Sequence, residues 1–103
     1  MRKIYLSHPY RNNPKENLKS ISRICREIYD RRPDVIPVSP LHMFSFCTPA
    51  DNQEKILEWC LSVLQDCTEI WMCGYWGSSE GCLRELAMAK ELGIPVVIYE
   101  DDC

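Results

Sequence analysis

The chain has 103 residues and a mass of 12.1 kDa, room for one domain with one modest core and too little for two. Hydrophobic residues make up 46% and charged residues 26%, so the chain can bury the apolar surface that offsets backbone ordering entropy, and a disordered chain is excluded. A net charge of −3 disfavours non-specific binding to nucleic-acid polymers.

After Met1-Arg2-Lys3, the pattern of residues 3 to 7 predicts a strand, closed by the turn-forming segment His8-Pro9-Tyr10-Arg11-Asn12. Asn13-Pro14 then offers an N-cap with proline at the first helical position. Leu18, Ile21, Ile24, Cys25 and Ile28 recur at three- and four-residue intervals, which predicts a helix to about Arg31 with one buried stripe; Pro33 ends it. Val35 to Val38 contains Pro37, which cannot donate a ladder hydrogen bond, so this strand belongs at a sheet edge. Residues 39 to 50 read as a loop with several apolar side chains, suited to ligand binding or to dimer contacts. A second helix is expected from about Asp51 to Gln65.

Glu69 to Cys73 is nearly continuous in apolar character, as in a central strand covered on both faces. A turn over Gly74 to Ser79 leads into a third helix that stops at Gly93, and residues 95 to 99 form the last strand before an acidic tail. Four strands alternating with three main helices imply an α/β fold. It is a minimal doubly wound, Rossmann- or flavodoxin-like parallel sheet of order 2-1-3-4. Such sheets bind ligands where the winding reverses, so the turns Ser7 to Asn12 and Gly74 to Ser79 should face one another across a cleft.

The cysteines at 25, 47, 60, 67, 73, 82 and 103 are odd in number and lack zinc-site spacing, so they read as reduced thiols in a cytoplasmic protein. No signal segment, membrane span, metal or cofactor is expected. Residues 1 to 32 hold nine cations against three acids, and the remainder three cations against twelve acids. The basic third either serves a small anion such as a nucleotide phosphate or is a solvated helix face, since Lys15, Lys19, Arg23, Arg26 and Arg31 all fall in the first helix.

At the third turn, Ser79-Glu80-Gly81 sits beside the unpaired amides of a helix start, which is either an anion site or an ordinary cap. Cys82, Leu86 and Ala89 define the buried stripe of that helix, and Glu85 falls about 60° from its centre at 100° per residue. A half-desolvated carboxylate there needs a partner. With Tyr5 or Tyr10 as donor it is a candidate nucleophile; with Arg2 or Arg11 it is an ion pair. His8 and His42 follow the first and second strands and are placed for phosphate contact or proton transfer, or are turn residues. Tyr10, Tyr75 and Trp76 either stack on a base or pack.

The segments Leu6-Ser7-His8-Pro9-Tyr10-Arg11 with Asn17, Glu69-Ile70-Trp71 to Gly74, and Ser79-Glu80-Gly81-Cys82 with Glu85 and Ala89 resemble the small nucleoside 2-deoxyribosyltransferase-like domains of phages and bacteria. The resemblance runs over nearly the whole chain and implies one such domain over residues 1–103. It also implies cleavage of an N-glycosidic bond by hydrolysis or transfer, with Glu85 attacking the anomeric carbon and Tyr5 orienting it. In this pattern Ser79, Gly81 and Glu85 reproduce the SxGxxxE spacing of the monophosphate hydrolases, with the serine on a 5′-phosphate. Ser7, His8, Tyr10, Arg11, Gly74, Ser79 and Gly81 become candidate ligand or phosphate contacts, with His42 and Trp76 as further candidates. The relatives place an acid/base aspartate on the helix before the third strand, where this chain has Cys60. The substitution keeps open a second reading, a non-catalytic protein that binds or sequesters a nucleotide in a phage or defence setting. A homodimer through the second helix and the 39–50 loop is expected, because so small a core gains from association.

Overall fold

The computed structural model describes residues 1–100; Asp101, Asp102 and Cys103, and with them most of the expected acidic tail, lie outside the described residues. Strand β1 (Arg2–Ser7) is followed by α1 (Pro14–Arg31), β2 (Val35–Val38), a short helix α2 (Pro40–Met43), α3 (Gln53–Leu64) and β3 (Glu69–Met72). A single 3-10 turn (Trp76–Ser78), α4 (Glu80–Leu92) and β4 (Val96–Ile98) complete the order. The strands form one parallel sheet, β2-β1-β3-β4, as expected from their alternation with helices.

Each face of the sheet carries its own packed layer. Ile4 and Leu6 of β1 and Trp71 of β3 meet Ile21, Ile24 and Ile28, the stripe of α1. The alternate residues, Tyr5, Ile70 and Met72, meet Cys60 and Leu64 of α3 and Cys82 and Ala89 of α4. Each fully buried isoleucine of α1 contributes about 1.5–3 kcal/mol by leaving water. The period-two alternation of β1 therefore aims Tyr5 and Ser7 at the α4 side, which matters below. Arg2 fixes the base of this arrangement by reaching both Glu69 carboxylate oxygens, at 3.0 and 3.2 Å.

Two elements depart from the expected outline. The segment from 39 to 50 contains α2, since Ser39-Pro40 is itself a helix start with proline at the first position. In α4 the buried set is Cys82, Glu85 and Ala89, with Leu86 only half-buried, so Glu85 lies within the stripe and not beside it. The five cations of α1 are all exposed, and Lys19, Arg26 and Arg31 pair with acids one turn away, which makes this a solvated helix face. Among the described residues no helix is long and apolar enough to cross a membrane.

Candidate active site

The carboxyl ends of β1 and β3 are tied together where the Cys73 amide donates to the Ser7 carbonyl at 2.8 Å. Above that tie opens a cavity of about 400 Å³. Its lining comes from the first turn (His8 to Asn12), from α2 and the following loop (Leu41, Phe44, Cys47), from α3 (Ile56, Leu57, Cys60) and from the start of α4 (Ser79, Gly81, Glu85). Its size is within the range of small-molecule sites, roughly 300–1,000 Å³.

Glu85 is 7% exposed and lines this cavity. One carboxylate oxygen accepts the Ser7 hydroxyl at 2.7 Å and the other accepts the phenol of Tyr5. Both donors come from alternate positions of one strand, so the pleat of β1 delivers two hydroxyls to one carboxylate. Neither arginine alternative is realised: Arg2 is held by Glu69 and Asp34, and Arg11 lies exposed at the cavity mouth. Burial raises the pKa of Glu85, while the Ser7 and Tyr5 hydrogen bonds oppose that rise by stabilising the anion. Tyr5 itself is pushed well above its ordinary value, by burial first and the Glu85 charge second, so it remains a donor.

At the other end, Ser79 caps α4, its hydroxyl oxygen accepting the Cys82 amide at 3.2 Å. The amides of Glu80 and Gly81 belong to the first helical turn, which has no intrahelical acceptors for them, and Arg11 lines the same cleft. This end suits an anion. Arg84 also lines the cleft but is bound to Glu54 at 2.7 Å. Part of the lining is apolar, formed by Leu41, Phe44, Ile56 and Leu57, with the Phe44 and Trp59 ring centroids 5.4 Å apart.

The remaining expected contacts divide. Tyr10, Arg11, Ser79 and Gly81 line the cavity. His8 lines it too, but Nδ1 donates to the Pro9 carbonyl at 2.8 Å and Nε2 is hydrogen-bonded with the Ser20 hydroxyl at 2.9 Å, so this ring is engaged in the fold. Ser7 is a partner of Glu85 behind the cavity surface and does not line the cavity. His42 is not at the cleft: its ring is captured between Ser39 at 2.6 Å and Ser22 at 2.8 Å, joining α2 to α1. Trp76 packs on the Tyr5-side core, and Tyr75 is 89% exposed. Gly74 does not line the cavity; at φ +63° it lets the chain pass His8, where an added Cβ would lie 3.0 Å from Nε2. Glu58 and Asp66 are exposed and away from the cavity, whereas Cys60 lines it. The Cys60 thiol is pushed up to about 12 by burial and then by the Glu85 charge. Leu41 and Phe44 belong to the apolar 39–50 segment that the sequence marks for ligand binding or dimer contacts, whereas Ile56 and Leu57 of α3 were not singled out, since their helical spacing reads equally as core. Among the described residues no group of three or more His, Cys, Asp or Glu is placed to hold a metal ion.

Among curated proteins no sequence match is found. Among solved structures, a 2-desoxiribosyltransferase from Leishmania mexicana aligns with a TM-score of 0.69 and 19% identity, over 99% of this chain and 66% of its own. A 2-deoxyribosyltransferase from the psychrotolerant bacterium Bacillus psychrosaccharolyticus aligns with a TM-score of 0.67 and 22% identity, over 91% of this chain and 69% of that one. The chain thus spans about two thirds of the length of either enzyme and shares their α/β fold. The sequence model of a family described as a domain of unknown function (DUF7768) matches residues 2–99. That match takes in every strand and helix that builds the cleft, and the chain belongs to the DUF7768 family.

Proposed function

We propose that the protein acts on the N-glycosidic bond of a nucleotide, as a hydrolase or deoxyribosyltransferase-like enzyme, with Glu85 as the nucleophile. One observation carries the reading: a buried carboxylate, held by the Tyr5 and Ser7 hydroxyls, lines a cavity that also takes in the N-terminal turn of α4. Desolvation makes the carboxylate a stronger nucleophile, and the two hydroxyls orient it and keep the anionic form accessible. Ser79, the Gly81 amide and Arg11 would take a 5′-phosphate, and the apolar wall would take the base. The likeness to two deoxyribosyltransferases supports this through fold alone.

Incubation with a panel of nucleoside and deoxynucleoside monophosphates, followed by chromatography for free base, tests it. Base release is expected from the unaltered protein and a loss of at least about 1,000-fold from Glu85→Gln, since the bond-forming atom is gone. No release from any substrate sinks the catalytic reading.

A second reading is a cleft that binds a nucleotide without cleaving it, and Cys60 favours it. A thiol near 12 on the wall beside Glu85 is a poor proton donor for a departing base. Nucleotide-induced thermal stabilisation that survives Glu85→Gln, with no base release, is its signature. Either reading places the protein in the cytoplasm, a proposal that agrees with free thiols at all six cysteines described.

A further inference from the structure

We propose that the substrate's leaving group is a cationic heteroaromatic base, a pyridinium or an N7-alkylated purine, whose departure requires no proton from the protein. This rests on the catalytic reading of Glu85 and names the substrate class of that same site.

A neutral purine or pyrimidine leaves as an anion unless an acid protonates it while the bond breaks, and a placed acid is worth about 10²–10⁴ in rate. Three carboxylic acids line the cavity among the described residues, and none of them stands at the α3 position that Cys60 occupies. Glu85 is the attacking group. Glu54 is bound to Arg84 at 2.7 Å, and Glu80 stands at the start of α4, at the anion end of the cleft. Both ring nitrogens of His8 are engaged by Pro9 and Ser20. Beside Leu41, Phe44, Ile56 and Leu57, where the base would lie, the lining also has Gln53, whose amide nitrogen is held by the Thr48, Pro49 and Asp51 carbonyls, and the thiols of Cys47 and Cys60, of which burial pushes the Cys60 thiol away from the neutral range.

The same wall suits a flat cation. Leu41, Ile56 and Leu57 bring no polar side-chain group to read a base edge, and Phe44 supplies an aromatic surface to a cationic ring. Three carboxylates line the cleft against two guanidinium groups; with Glu54 and Arg84 paired to each other, Glu80 and Glu85 stand against Arg11, and this balance of one negative charge favours a positive base.

The step balances without an acid. A Glu85 oxygen bonds to the anomeric carbon, the carbon–nitrogen bond breaks, and its electron pair stays on the ring nitrogen, cancelling the positive charge. The base departs neutral. Water then displaces the carboxylate from the anomeric carbon, and its proton passes to solvent through the open cleft.

The test uses matched pairs that differ only in the N7 methyl group: guanosine 5′-monophosphate with its 7-methyl form, and the deoxyribose pair. Nicotinamide mononucleotide serves as the pyridinium probe, and Glu85→Gln gives the spontaneous rate to subtract. The cationic member of each pair is expected to lose its base about 100-fold faster or more. Equal, Glu85-dependent rates within a pair overturn this proposal while leaving the catalytic reading intact; no Glu85-dependent release from any substrate overturns both. Cys60→Asp, which puts a carboxyl on the wall, should narrow the ratio by raising the neutral-base rate. If that variant does not fold, the matched-pair ratio of the unaltered protein decides alone.

Discussion

Glu85 sits where ionisation is costly, and that cost has a sign. Its carboxyl in the folded protein titrates above its ordinary 4.5, with burial as the main cause, so between 4.5 and the raised value the folded state binds more protons than the unfolded one. Stability from this residue is therefore intact at pH values below 4.5 and declines as pH rises through that window. Glu85→Gln should melt a few degrees higher than the unaltered protein at pH 8, with the gap closing toward pH 4.5. A gap that widens on acidification contradicts the burial described. Tyr5 and Ser7 work against burial, and their effect is separable. In Tyr5→Phe one donor to the anion is lost, so the ascending limb of kcat/KM against pH should move to higher pH. A role for Tyr5 in packing alone predicts a lower rate with the limb unmoved.

At the scale of elements, two glycines with the same backbone sign differ in what surrounds them. Gly93, at φ +74°, ends α4 in open space, so Gly93→Ala carries only the left-handed conformational cost, about 1–2 kcal/mol. Gly74 adds a steric conflict with the His8 ring, which Ser20 and Pro9 hold in place. Gly74→Ala should thus be the more destabilising of the two in urea titration; equal midpoints would show that His8 yields freely. The order of the strands was legible in the sequence because alternation, Pro37 and the apolar run at Glu69 to Cys73 each constrain topology. The position of Glu85 was legible only to within a face, because its burial depends on two hydroxyls that β1 supplies from 78 and 80 residues away in sequence. The capture of His42 by Ser22 and Ser39 was not legible, since no periodicity signals a side-chain bridge between helices. Pro40 did mark α2, but its four residues are too few for an apolar pattern to show.

For the molecule as a whole, the basic third of the chain faces solvent on α1, and of its nine cations only Arg11 reaches the cleft. Outside the cleft, Phe46 and Trp59 are exposed and their rings lie 6.4 Å apart, and Met43 of α2 is exposed as well. This is the surface through which we propose that two copies pair. Sedimentation equilibrium should give about twice 12.1 kDa at tens of micromolar, and Trp59→Glu should return the monomer. An unaltered protein that stays monomeric removes the pairing proposal and leaves the cleft as described. Finally, β1 supplies both hydroxyls to Glu85 from alternate positions, with Arg2 clamped on Glu69 at its foot. A slip of one residue would turn Ile4 and Leu6 toward α4 and strand the acid without either donor. On the catalytic reading, turnover per mole is then a gauge of assembly: a mispaired molecule stays silent, and a refolded batch reports its own correctly threaded share.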